Sequence, residues 1–146
     1  MANPRKIIDH RGQGFRAFTF LVDGTSIVHS ATAKDGSASA GLAVGLVAGT
    51  EDTVELVVDG QNVLGRLLHV EADGTCAVQV EGVCELAAGN GATVTRGAPV
   101  VGALGAASAR GYVRAIAPAT LADVAQGRHR ILKAADPTKM QIHLGV

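Results

Sequence analysis

Tryptophan is absent from this chain of 146 residues, and the other aromatics amount to three Phe and one Tyr. Single-stranded nucleic acid is held largely by stacking on aromatic side chains, so that class of binder is disfavoured from the outset. Cysteine occurs twice, at Cys76 and Cys84, which is too few for a disulfide scaffold and lacks the second pair of a zinc site. Charged residues make up only 18% against 47% apolar, a balance that takes the chain out of the disordered class. Long apolar runs are missing too. One of the longest stretches without a polar side chain, Ala40 to Gly49, is about half of what a membrane-spanning helix needs. Met1 to His10 carry early charge with no apolar segment behind it, so no secretory signal is read there. The expectation is a soluble protein with no membrane partner and no need of an oxidising compartment.

What is present is small and apolar: 25 Ala, 19 Gly and 18 Val. The glycines follow no collagen period. The length suits one domain, large enough to bury roughly 68–70% of its unfolded surface without a metal or a disulfide. Net charge is zero but unevenly spread. Residues 1–16 carry Arg5, Lys6, Arg11 and Arg16 against Asp9, a balance of +3. Residues 17–109 set three cations against ten carboxylates (−7), and residues 110–146 set six against two (+4). An acidic body with basic ends suits complementary packing between copies or onto an acidic lattice.

Local patterns read as strands separated by turns. Ala17 to Val22 is rich in aromatic and β-branched residues and ends at Asp23-Gly24. Ser26 to His29 then reads as its hairpin partner, and residues 30–41, which have no period, as a flexible surface loop. Leu42–Val47, Thr53–Val58 and Val63–Glu71 are further apolar runs, with Asp59-Gly60 and Asp73-Gly74 as turns, which together predict a β-meander. Thr75–Leu86 is the clearest strand: Cys76, Val78, Val80, Gly82, Cys84 and Leu86 on one face, Ala77, Gln79, Glu81, Val83 and Glu85 on the other. Gly82 on the inner face marks a bulge or bend. The run from Gly89-Asn90-Gly91 through Ala92–Thr95 and Arg96–Pro99 to Val100-Val101 reads as a tight turn feeding a short strand. Strands are also read at 111–117, 128–134 and 139–144, with Asp136-Pro137-Thr138 turning between the last two and a short helix within 119–126 left open. The predicted class is all-β, a small barrel or sandwich over residues 17–146 with an extended arm over 1–16.

Catalytic and metal signatures are missing from the residue pattern. Cys76 and Cys84 fall on the apolar face of one strand, with no basic neighbour to lower their pKa, and read as small core residues. The five histidines, His10, His29, His69, His129 and His143, have no metal-ligand spacing and read as surface or edge residues. His129, between Arg128 and Arg130, reads as a solvated strand end or a subunit contact rather than a nucleic-acid site, since Tyr112 is the only aromatic near it. The Gly-rich pieces at 41–45 and 102–105 lack the lysine and the βαβ context of a phosphate loop. The chain is expected not to be an enzyme and to carry no cofactor and no metal. Residues 1–16 stand apart, with Ile7, Ile8 and Phe15 as their apolar anchors among four cations. They read as an arm that orders by lying across a neighbouring protein, adding a strand to its sheet.

The stretch Gly82-Val83-Cys84-Glu85-Leu86, then Gly89-Asn90-Gly91-Ala92 and Val94-Thr95-Arg96-Gly97-Ala98-Pro99-Val100, resembles the central block of tailed-phage capsid cement (head decoration) proteins. Gly111-Tyr112-Val113 and the alternating Met140-Gln141-Ile142-His143-Leu144 are similar to the family's later strands. The resemblance spans residues 60–146; where the family often carries Gly-Asp, this chain has Gly97-Ala98. It implies a β-rich structural virion protein that binds the major capsid protein on the outside of the phage head. Such a protein forms a homo-oligomer, commonly a trimer, occupies the host cytoplasm before assembly, and makes no direct contact with nucleic acid or membrane. On that reading Arg5, Lys6, Ile7, Ile8, Arg11 and Phe15 are the capsid or inter-subunit contacts. The alternative is a biotinyl- or lipoyl-type carrier, or another small β-barrel binding module. Val94 to Val100 also resembles the strand-turn of the carrier barrels, and Thr138-Lys139-Met140 resembles their modified-lysine turn.

Overall fold

The computed structural model describes residues 15–116, 129–134 and 136–145. Among the described residues nine strands are formed: β1 (Arg16–Val22), β2 (Ala43–Leu46), β3 (Thr53–Leu56), β4 (Gly65–Val70), β5 (Thr75–Leu86), β6 (Val100–Ala103), β7 (Tyr112–Ala115), β8 (Arg130–Lys133) and β9 (Met140–Leu144). The first five close into a barrel in the order β1-β3-β2-β4-β5 and back to β1. All neighbours in it are antiparallel except β1 and β3. The all-β barrel read from the residues is therefore the observed architecture. The expected arm, residues 1–14, and the possible helix at 119–126 lie outside the described residues.

β5 is twelve residues long and serves two layers. Its first half pairs with β4 and β1, and its second half, Gly82–Leu86, pairs with β9, which in turn pairs with β8. Gly82 sits at the changeover with φ of 102°, a backbone conformation that side-chain-bearing residues rarely adopt. β6 and β7 form a separate ribbon. Alternation along β5 divides the core accordingly. Cys76 and Val78 point into the barrel with Ile27, Leu67 and Val70, whereas Cys84 and Leu86 join Ile131, Met140, Ile142 and Leu144 in a second cluster. A five-stranded barrel has room inside for side chains only, so the small Val-rich interior follows from the strand number.

Several local expectations are corrected. Ser26–His29 is not a strand beside β1. The Asp23 carboxylate accepts the N–H groups of Ser26 at 2.9 Å and Ile27 at 3.0 Å, which turns the chain at once and drops Ile27 into the barrel. The edges of β1 are taken by β5 and β3 instead. Residues 30–41 form a pinned loop, not a free one: the buried Ser37 hydroxyl donates to the Val28 carbonyl at 2.7 Å, and the Gly41 N–H donates to the Leu67 carbonyl at 2.7 Å. The barrel is not a plain meander, since β2 lies between β3 and β4. Of the run after the Gly89–Gly91 turn, Val100 and Val101 enter a strand, β6, while Ala92–Thr95 lies outside any strand. The Thr93 carbonyl accepts from Ala115 and the Gly97 N–H donates to Ile131, so the segment crosses strand ends rather than running along one. The Asp73-Gly74 and Asp136–Thr138 turns stand where expected, linking β4 to β5 and β8 to β9.

Candidate assembly surface

Three register slips interrupt the strand pairings. Val80 is left over where β1 meets β5, Leu68 where β4 meets β5, and Leu132 where β8 meets β9. A bulge re-aims the side chain it carries and bends its strand. Leu68 and Leu132 both line an open groove of about 680 Å³, together with Phe15, Val83, Arg66 and Glu85. Val83 and Glu85 reach it from the polar face of β5, the face opposite Cys84 and Leu86. Phe15, Val83 and Leu132 are among the most exposed large apolar residues of the described chain, at 46%, 40% and 40%.

Among the described residues, β5 over Gly82–Leu86 pairs with β9 on one edge, and no other strand pairs with it there. The Gln79 carboxamide covers part of the remaining edge, donating to the carbonyls of Glu81 at 3.2 Å and Val83 at 3.3 Å. Gln79 falls on the face predicted to be polar, yet it is buried, because the slip at Val80 turns it along its own strand. Arg66, which pairs in register with Gln79, has a buried Nε without a hydrogen-bond partner among the described residues. Arg16, at the start of β1, lies 3.3 Å from Glu81.

Of the six contact residues proposed from sequence, Phe15 lies on this groove; Arg5, Lys6, Ile7, Ile8 and Arg11 lie outside the described residues. Strand β1 includes Arg16, one residue earlier than the predicted domain start. The groove itself was not legible in the sequence, since its walls are set by bulges, and a bulge has no reliable residue signature.

The titratable groups show what the surface can do chemically. Burial pushes both thiols up, Cys84 to about 12 despite the favourable charge of Arg66, so both stay protonated at neutral pH. His129 is a correction to the solvated strand end expected for it. It is buried, with Nε2 2.8 Å from the Val63 carbonyl, and its Nδ1 accepts the Gly145 N–H at 3.2 Å. This pairing makes Nε2 the protonated nitrogen and His129 a tie between the barrel and β9. His69 lies 2.9 Å from Glu71 at the exposed end of β4, and His143 is exposed, as read. Among the described residues no three His, Cys, Asp or Glu side chains gather where they could hold a metal, and no helix is long and apolar enough to cross a membrane. No family model, curated protein or solved structure matches the chain.

Proposed function

We propose that this protein is a structural decoration protein: an oligomer, in the trimer expected from the resemblance, that binds the major capsid protein on the outside of a tailed-phage head and braces the shell against packaged DNA. The observation that carries this reading is the largely apolar groove beside the second half of β5, which pairs on one edge with β9 and has no second strand partner among the described residues. Exposed apolar surface next to an open strand edge is an aggregation liability on a free monomer and a binding surface on an assembly component. The core supports it as well. Among the described residues it is aliphatic, with no fully buried Phe, Tyr or Trp, so it lacks the large area an aromatic side chain buries and profits from further burial on association. Many weak contacts repeated by symmetry then supply avidity. The role is mechanical rather than catalytic, and its place is the virion exterior, reached from the host cytoplasm.

The test is co-sedimentation with mature heads of the cognate phage stripped of their decoration. Saturable binding in a symmetric number of copies per head, with a higher temperature of DNA release, supports the reading. Heads that neither bind the protein nor gain stability overturn it.

One observation favours the carrier alternative: Lys139 stands exposed in the turn joining β8 and β9, a hairpin tip of the kind carriers use for a modified lysine. Intact mass separates the two. A biotinyl or lipoyl adduct on Lys139 after expression with active ligases establishes the carrier, and an unmodified chain removes it.

A further inference from the structure

β1 has an outer edge that the barrel does not use along its whole length. The Leu21 N–H donates to the Asp52 carbonyl at 2.8 Å on the β3 side, and the Val22 N–H donates to the Gly74 carbonyl at 3.0 Å on the β5 side. Alternation along the strand therefore turns the N–H and C=O of Phe18 and Phe20 toward β5, and those of Ala17 and Thr19 away from it. β3 pairs with β1 only at Leu21 and Val22, so among the described residues no strand reaches Ala17 or Thr19 on that outer side. Arg16, Ala17, Phe18 and Thr19 are all exposed, although successive side chains point to opposite faces. Neither face of β1 is covered there. Sheets guard such an edge with proline, charge or a bulge. Ala17-Phe18-Thr19-Phe20-Leu21 has neither proline nor charge, and the slip against β5 puts its extra residue, Val80, on β5.

We infer that β1 of a second copy of this chain pairs antiparallel with this edge over residues 15–19, about a two-fold axis at Ala17. The edge itself sets the length and the centre. β3 enters the slot beside Phe20, where the Asp52 carbonyl takes the Leu21 N–H, so an added strand has room only as far as Thr19. The run from Phe15 to Thr19 has Ala17 at its middle, and Ala17 is a residue whose N–H and C=O face outward. A symmetric pair centred there bonds Ala17 to Ala17, and Phe15 to Thr19 on either side. Between those bonds Arg16 comes opposite Phe18 of the other copy, at the positions where cross-strand side chains approach most closely. Both are exposed and share one face of β1, so the guanidinium lies against the ring while keeping Glu81 on its own chain. Ala17 on the axis is small enough for the two strands to meet. A second copy meets all of these demands with one patch, as an isologous contact requires, and joins chains in pairs in addition to any threefold. The contact goes beyond the decoration reading and does not depend on it.

The experiment oxidises full-length chains mildly, without phage heads. Ala17→Cys is expected to form a covalent dimer, since residues opposite one another in a hydrogen-bonded pair stand ~5.5 Å apart at Cα, within disulfide reach. Thr19→Cys, on the same edge and face, is expected to stay monomeric, because the register sets it ~13 Å from its own copy. Mixed with Phe15→Cys it should cross-link. The native Cys76 and Cys84 are buried, which keeps the background low. Equal dimer yields from Ala17→Cys and Thr19→Cys, no dimer from Ala17→Cys, or no cross-link in the mixture overturns the proposal. Charge probes the same axis by sedimentation. Ala17→Lys and Ala17→Glu each set like charges opposite one another and are expected to weaken self-association several-fold, while an equimolar mixture of the two recovers it. Variants that associate like wild type, or a mixture no tighter than either alone, overturn it too. Ala17 is exposed and belongs to neither core cluster, so loss of folding does not mimic these results. Every arm uses the free chain, and failure here leaves the decoration reading to its own test on heads.

Discussion

The Nε2 of His129 lies 2.8 Å from the carbonyl oxygen of Val63, a residue 66 positions earlier in the chain. On its other side the same ring accepts the Gly145 N–H, so one imidazole joins the lead-in to β4 with the exit of β9. Two backbone groups, one buried and one half-buried, therefore depend on a single side chain. Replacing His129 with Ala strands both and is expected to cost ~1–3 kcal/mol in urea unfolding. A loss within a few tenths of a kcal/mol would show that water replaces the ring without penalty.

Acid should loosen the turn that carries Ile27 inward. Partial burial by itself raises the Asp23 carboxyl, but the N–H groups of Ser26, Ile27 and Thr25 that point at it outweigh this and hold it below the usual aspartate value. A pKa lowered in the folded state contributes stability that is complete above the unfolded value of ~3.9 and is lost as pH falls through the folded value. Asp73 and Asp136 are lowered by their Thr75 and Thr138 partners and act with the same sign. The informative measurement is therefore the difference between wild type and Asp23→Asn. Denaturant midpoints followed from pH 6 down to 2 should converge below ~pH 4, and a constant offset across that range would show that the carboxylate charge plays no part.

Thiol chemistry offers a sharper contrast. With Cys84 pushed up to about 12, roughly one molecule in ten thousand carries its thiolate at pH 8, and burial shuts out the reagent besides. Native protein should take up a maleimide or iodoacetamide label at Cys84 only as fast as it opens, and denatured protein within minutes. Rapid labelling of Cys84 in the native state, followed by peptide mass, would mean that the second core opens locally.

How far the residues alone reveal this molecule depends on whether the relevant contact is local. β5 was legible because twelve residues alternate, and Cys76, Val78, Cys84 and Leu86 are all buried as the pattern requires. The turns at Asp73-Gly74 and Asp136–Thr138 were legible because each aspartate bonds to a residue two positions on. Gln79 and His129 were misread for the opposite reason. The burial of Gln79 follows from a register slip against β1, some sixty residues away, and that of His129 from Val63 and Gly145. Ser26–His29 looked like the return strand of a hairpin because apolar alternation cannot tell which partner an edge will take. Phe15 was picked from sequence as a contact and does line the groove; Leu68, Val83, Arg66 and Leu132, which complete it, were not.

The two halves of β5 place opposing demands on glycine, and both can be tested by adding one methyl group. At Gly82 the constraint is the backbone itself: with φ at 102°, any L side chain is strained, and Gly82→Ala should cost ~1–3 kcal/mol. At Gly65 the constraint is space, since a Cβ there would run into the Gln79 carbonyl of β5. Gly65→Ala must therefore push the two strands apart within the barrel, whereas Gly82→Ala strains the joint between the barrel and the β9 layer. Hydrogen exchange distinguishes them. Gly65→Ala should speed exchange of the amides that β4 and β5 share at Arg66–Val70 and Cys76–Gln79, and Gly82→Ala those that β5 and β9 share at Cys84–Leu86 and Met140–Ile142. Identical exchange patterns in the two variants would mean that barrel and second layer open as one unit, and that Gly82 is no joint at all.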